Sequence, residues 1–222
     1  MKRRDAFRMP HYFLAVVQNR NLSFNRTNLS VPKPVFHTAI AARAEVMRYY
    51  DPVRIQGYCR TCEKHGRFWS CPSFSVSPLT QFPEWDHAII VCEKVWTAPE
   101  ASSEQMIAQF FEARKVFRKW LLEVEQQQSG LTALVAGFCT GCTECTREEG
   151  KPCRTPSALR YSLEAVGFDV TGLVEGLAGQ KLQWAKGKAP EYLMTVGAIL
   201  CPDHAAAEQA CRALATYREM MP

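Results

Sequence analysis

The sequence has no apolar run near the roughly 18 residues that cross a bilayer. Its one early apolar stretch, "YFLAVV" at 12–17, is not followed by the small-residue site that a secretory signal requires. We read that stretch as a buried strand or the start of a helix. The expectation is a cytoplasmic protein with no membrane partner. Three catalytic signatures are also missing: the phosphate loop G-x-x-x-x-G-K-[ST], the dinucleotide fingerprint G-x-G-x-x-G and the nucleophile elbow G-x-S-x-G. The radical-enzyme spacing C-x3-C-x2-C is absent as well. There is no repeat of fixed period and no long linker, so residues 1–222 are expected to form a single domain.

Concentrated charge is lacking too. The formal net charge is +5, but the basic residues are scattered and the only dense run is "KRR" at 2–4. A scattered excess of this kind is a solvated surface rather than a nucleic-acid footprint, and no nucleic-acid partner is expected. Ligand thiolates would reduce the charge further, because four of them around a cubane leave about two negative charges.

Cysteine, by contrast, is abundant. The chain has ten, and seven of them fall into two groups. In a reducing compartment clustered thiols are metal ligands or redox groups more often than crosslinks. The group "CTGCTECTREEGKPC" places Cys139, Cys142, Cys145 and Cys153 in the spacing C-x2-C-x2-C-x7-C. Two intervening residues let a tight loop wrap one corner of a cluster, and three such cysteines in succession can each hold a different iron. A fourth beyond a turn closes the cage. Bacterial ferredoxins open in the same way, whereas zinc more commonly takes two separated C-x2-C knuckles. The triple favours a [4Fe–4S] cluster, with zinc as the alternative. Gly137, Gly141 and Gly150 stand where a tight backbone would need them.

The other group is "CRTCEKHGRFWSCP", with Cys59, Cys62 and Cys71 in the spacing C-x2-C-x8-C-P. Three thiols make an incomplete cage. Its fourth ligand could be His65, His87, solvent, a substrate or a remote residue. Alternatively, Cys71-Pro72 could complete the other triple. One cluster or two, and a zinc site closed by histidine, all stay open on these residues. Cys92, Cys201 and Cys211 stand alone and read as small buried hydrophobes. Phe68, Trp69 and Phe74 would shield a metal from water or belong to the core.

These residues carry a resemblance. "WSCP" at 69–72 and "GFCTGCTECTREEGKPCRTPSALRYSLEAVGFDV" at 137–170 make the chain similar to a family of prokaryotic cysteine-rich proteins. That family is described only as a domain of unknown function and as predicted metal-binding proteins. The likeness spans roughly residues 55–200 and includes Arg160, Ser162, Glu164, Gly167 and Asp169. The family often has proline at the positions of Tyr161 and Ser73, and neither departure removes a ligand. The resemblance implies metal or iron–sulfur binding and supplies no reaction. Beside it, Arg154 and Arg160 would flank a helix next to the cluster loop, offsetting its charge or binding an acidic substrate. Glu164 would pair with Arg160 at helical spacing.

The rest of the chain reads as an α/β fold, with α+β as the variant: a sheet of three or more strands, packed helices and cysteine-rich loops at 57–74 and 137–156. Strands are expected at "HAIIVCEKVW", "LTALVAGF" and "EYLMTVGAIL", all central to the sheet. "FHTAIAARAEVMRYY" is expected to be helical and "VRIQGY" a strand. Helices are expected over about 103–128, from Pro156, from Asp169 and from Asp203, with Ser102 or Ser103, Asp169 and Asp203 as caps and Gly167 as a stop. The functional expectation is electron transfer with a redox partner protein. The alternatives are an iron–sulfur enzyme with an open iron at Cys59/Cys62/Cys71 acting on a small-molecule substrate, with Arg67, His65 or His87 lining its pocket, and a structural zinc module.

Overall fold

A computed structural model of the chain describes residues 34–98, 101–183 and 190–220. The strand or helix start expected at 12–17 lies outside them. Four strands form one sheet in the order β1-β2-β4-β3: β1 (Val35–Ala42), β2 (His87–Trp96), β3 (Thr132–Leu134) and β4 (Tyr192–Cys201). Every neighbouring pair is antiparallel, with Ile90 opposite Ala39 on one side and Ala198 on the other. The helices are α1 (Arg43–Val46), α2 (Pro52–Cys59), α3 (Ser103–Gln126), α4 (Leu163–Val166), α5 (Val170–Gly176) and α6 (His204–Met220).

The sheet is covered on both faces, which explains its two unbroken apolar central strands. Side chains alternate across a strand. In β2, Ala88, Ile90 and Cys92 turn to one core together with Val46, Leu163, Val166, Phe168, Leu173 and Val174 from α1, α4, α5 and the short link between the last two. Ile89 and Val91 turn to the other core, against Phe117, Trp120, Leu121 and Val124 of α3 and Ala207, Ala210 and Leu214 of α6. The result is a helix–sheet–helix sandwich, the expected α/β class.

Caps set the helix starts. Ser102 accepts the Gln105 amide and Gln105 reaches back to the Ser102 amide, a complete capping box for α3. Asp169 caps α5, and Asp203 accepts the Ala206 amide at the start of α6. Gly167 ends α4 at φ 109°, a conformation glycine takes without strain.

Four expectations are corrected. The stretch read as a helix over 36–50 is mostly β1, followed by one turn of α1 and a 3-10 turn. Pairing with β2 overrides the helical preference of its alanines. "VRIQGY" is helical, because Asp51 accepts the Arg54 amide and Pro52 takes the first position. The helix expected from Pro156 is a 3-10 turn (Pro156–Ala158), then extended chain until Ser162 caps α4. Finally, the strand before the second cysteine loop is short and lies at the sheet edge, not its centre.

Candidate metal centre

The first cysteine loop begins at the end of α2. From Cys59 the chain coils through successive turns, with the Cys62 amide donating to the Cys59 carbonyl (3.0 Å), His65 to Cys62 (3.0 Å) and Cys71 to Phe68 (2.9 Å). These turns carry Cys59, Cys62 and Cys71 in one loop, near enough for charge on Cys62 to push up the other two thiols. The second loop leaves β3 past Val135 and carries Cys139, Cys142, Cys145 and Cys153, all half-buried and all free thiols. Within it, the Gly141 amide points at the Cys139 sulfur (3.4 Å), and Cys142 Sγ lies 3.7 Å from Thr155 Oγ1. Buried Thr146 donates to the Pro152 carbonyl at 2.7 Å, which closes the turn before Cys153.

The two loops are packed against each other. Ser70 is fully buried; its Oγ accepts the Cys139 amide at 2.8 Å, and it hydrogen-bonds Cys71. Arg147 of the second loop donates to three carbonyls of the first, those of Phe68 (2.8 Å), Cys71 (2.7 Å) and Ser73 (2.7 Å), while its guanidinium lies over the Trp69 ring. Trp69 Nε1 donates back to the Lys151 carbonyl at 3.2 Å, and the Phe68 and Phe138 rings meet at 4.6 Å. Arg67 adds an exposed pair with Glu148 at 2.8 Å. Phe68 and Trp69 thus join the two loops, whereas the Phe74 ring meets Tyr161.

Beneath them lies Arg114 of α3, only 6% exposed. It donates to the carbonyls of Ala136 (2.7 Å) and Phe138 (3.0 Å) and sits against the Phe111 and Phe138 rings. Burial pulls its pKa down to about 10, opposed by Glu164 and Cys71. Gly137 makes this approach possible: a Cβ there would fall 2.6 Å from the guanidinium, and its φ is +64°. A helical arginine among apolar neighbours resembles any solvated charge in sequence, and Arg114 and Arg147 both escape a reading by motif.

Other residues lie away from the loops. Arg160 forms an ion pair with Glu125 of α3 rather than with Glu164, and Glu125 also accepts the Ala133 amide. Arg154 donates to the Glu144 carbonyl inside its own loop. His87 packs against His204, at the end of the sheet where β3 begins; the cysteine loop leaves by the other end. Cys92 and Cys201 are buried in the two cores.

As placed, no three His, Cys, Asp or Glu side chains among the described residues stand close enough to hold an ion. Seven half-buried free thiols in two adjoining loops are nevertheless donors of the kind a soft metal takes. Burial pushes the Cys59 thiol up to about 12 and the Cys71 thiol to about 11, with nearby Glu164 adding to the first. Such thiols stay protonated at neutral pH unless a cation takes the place of the proton. Cys59, Cys62 and Cys71 would hold one metal group, and Cys139, Cys142, Cys145 and Cys153 another.

Among the described residues no helix is long and apolar enough to cross a membrane. No curated protein and no solved structure matches the chain significantly. One family does, over residues 44–201, a span that contains both cysteine loops and the three strands β2, β3 and β4: the chain belongs to the predicted metal-binding protein family DUF2284.

Proposed function

We propose that the protein is an iron–sulfur protein that passes single electrons, with a [4Fe–4S] cluster on Cys139, Cys142, Cys145 and Cys153 and a second metal group on Cys59, Cys62 and Cys71. The observation that carries this reading is the Ser70 hydroxyl, which touches the amide of Cys139 and the thiol of Cys71 together. One side chain thus ties the backbone of the second cysteine loop to the first loop, and adjoining loops suit electron exchange between two centres. A bound cluster would supply a one-electron couple tuned by its charge and by hydrogen bonds to sulfur. The chain's own contribution is positional. Arg147 fixes the first loop on the second, the Gly141 amide donates toward sulfur, and Arg114 places a buried positive charge beneath both.

A second reading, an enzyme with one metal position open to a small molecule, draws support from the same buried cation. Arg114 acts electrostatically on Cys71, and Glu164 on Cys59, in a three-thiol group that lacks a fourth cysteine.

Anaerobic purification followed by iron, zinc and acid-labile sulfide analysis tests the proposal. The expected protein is brown, with a broad band near about 400 nm, and is reduced reversibly without turning over a small molecule. Stoichiometric zinc without sulfide overturns it and selects the structural zinc module.

A further inference from the structure

Arg114 and Arg118 are one helical turn apart on α3 and project from the same side of it. Each meets a glycine of the second cysteine loop. A Cβ on Gly137 would fall 2.6 Å from Arg114 Nη2, and one on Gly141 would fall 3.3 Å from Arg118 Nη2. That same point beside Gly141 is 3.5 Å from the Cys139 sulfur. The space of a single carbon is therefore the most that separates the Arg118 guanidinium from that sulfur.

The two arginines are not used alike. Arg114 spends Nε and Nη2 on the Ala136 and Phe138 carbonyls. Arg118 gives Nη2 to the Ala158 carbonyl, which fixes the guanidinium from a third segment of the chain. Its Nε is buried and has no hydrogen-bond partner among the described residues. A buried donor without an acceptor is uncommon in a native fold, and a redox role or an ion beside it is a recognised reason. Arg118 also forms no ion pair among the described residues, unlike its neighbour Lys119, which meets Glu123 at 3.7 Å.

We propose that Arg118 sets the charge at the second metal group: its guanidinium, held against the Cys139 corner with no carboxylate of its own, offsets the thiolate charge there and favours the reduced form. The inference rests on the iron–sulfur reading of Cys139, Cys142, Cys145 and Cys153. An electron taken from the redox partner adds one negative charge beside Arg118, with no bond made or broken. A fixed cation in a partly buried setting stabilises that state over the oxidised one. Arg118 is thus a positioning residue and not a ligand. Gly141 makes the approach possible, since a methyl group there would press on guanidinium and sulfur together.

The test uses the full chain, loaded anaerobically with iron and sulfide, and reads reduction potential by spectroelectrochemical titration beside iron and sulfide content. The couple followed is the one that Cys142→Ser abolishes. Arg118→Gln is expected to keep its iron and sulfide while the potential falls. Arg118→Lys recovers most of that fall, Gly141→Ala falls part of the way, and Lys119→Gln stays at the wild-type potential. A merely structural arginine would alter metal content and leave the potential of loaded protein alone. A wild-type potential in Arg118→Gln, equal potentials in Arg118→Lys and Arg118→Gln, or an equal fall in Lys119→Gln overturns the proposal. Loss of iron from Arg118→Lys and Arg118→Gln alike overturns it too. If Arg118→Gln alone loses iron, Gly141→Ala decides, and a wild-type potential there overturns the proposal. Wild-type protein that takes up no iron and sulfide overturns the iron–sulfur reading, and this inference with it.

Discussion

The buried hydroxyl of Ser70 accepts the backbone amide of Cys139 at 2.8 Å, joining positions 69 residues apart. Replacing Ser70 by Ala strands that amide in a dry junction. An unsatisfied buried donor costs about 1–3 kcal/mol. The expected outcome is a loss of that size in denaturant unfolding of the loaded protein, together with lower metal content in the second loop. Valine, larger and equally unable to accept, should do worse.

Two arginines bridge the loops and should behave differently. Arg147 makes three hydrogen bonds to carbonyls in a partly buried setting, and charge-assisted bonds of this kind contribute about 1.5–3 kcal/mol. Arg147→Met is expected to destabilise by about that much and to loosen both thiol groups. Arg67 meets Glu148 with the two side chains 48% and 54% exposed, where screening removes most of the benefit. Arg67→Ala should leave the unfolding midpoint unchanged within error. Paired denaturation curves for the two variants decide the matter.

Glu93 gives a pH dependence away from the thiols. It is 4% exposed in β2, accepts a hydrogen bond from Thr195 Oγ1 at 2.9 Å, and burial raises its pKa from the ordinary 4.5 to about 7. In the window between those values the folded chain holds a proton that the unfolded chain has released. Its contribution to stability therefore falls as pH rises from 4.5 to 7, and levels off above. The total is about 3 kcal/mol. Glu93→Gln keeps an acceptor for Thr195 and should remove this slope, becoming more stable than wild type above pH 7. Urea midpoints measured across that range check it.

Metal removal should weaken the fold as a whole. Residues 60–77 and 135–155 contain no helix or strand, and loops of that length in a compact fold are commonly fastened by a ligand or serve a function. Binding to the folded state alone adds to folding free energy. Matched thermal melts of loaded protein and of stripped protein kept reduced are expected to differ by a clear drop in melting temperature and a broader transition. Coincident curves would mean the protein holds its loops unaided.

Much of the sandwich was legible in the sequence. β2 and β4 are unbroken apolar runs because both of their faces are covered, and α3 announces itself by helical spacing between Ser102 and Gly130. β1 was not legible, since "TAIAARAEV" favours a helix by composition and its first five residues become strand only through their pairing with β2, the last four forming α1. In α2, β-branched Val53 and Ile55 suggested a strand, although Asp51-Pro52 carried the helix-start signal. The thiol spacing brought both cysteine groups to attention. The groups that act on them were hidden: Arg114 comes from α3 and only folding sets it against the Ala136 and Phe138 carbonyls of the second loop. Arg160 shows the converse, since its helical offset to Glu164 counts for nothing once the intervening chain is extended.

The contact between Arg147 and the Cys71 carbonyl has a consequence for biosynthesis. The two residues are 76 positions apart, and the second loop leaves the ribosome well after the first. Throughout that interval Cys59, Cys62 and Cys71 are tethered to a nascent chain with neither clamp nor buried cation in place. Three accessible thiols in that state invite scavenging by whatever soft ion is most abundant. On the proposed metal reading, delivery after residue 151 has emerged, when the Lys151 carbonyl can receive the Trp69 indole and the two loops close together, avoids that exposure. Cells that overproduce the chain faster than they supply its metal should accumulate protein mismetallated in the first loop before the second.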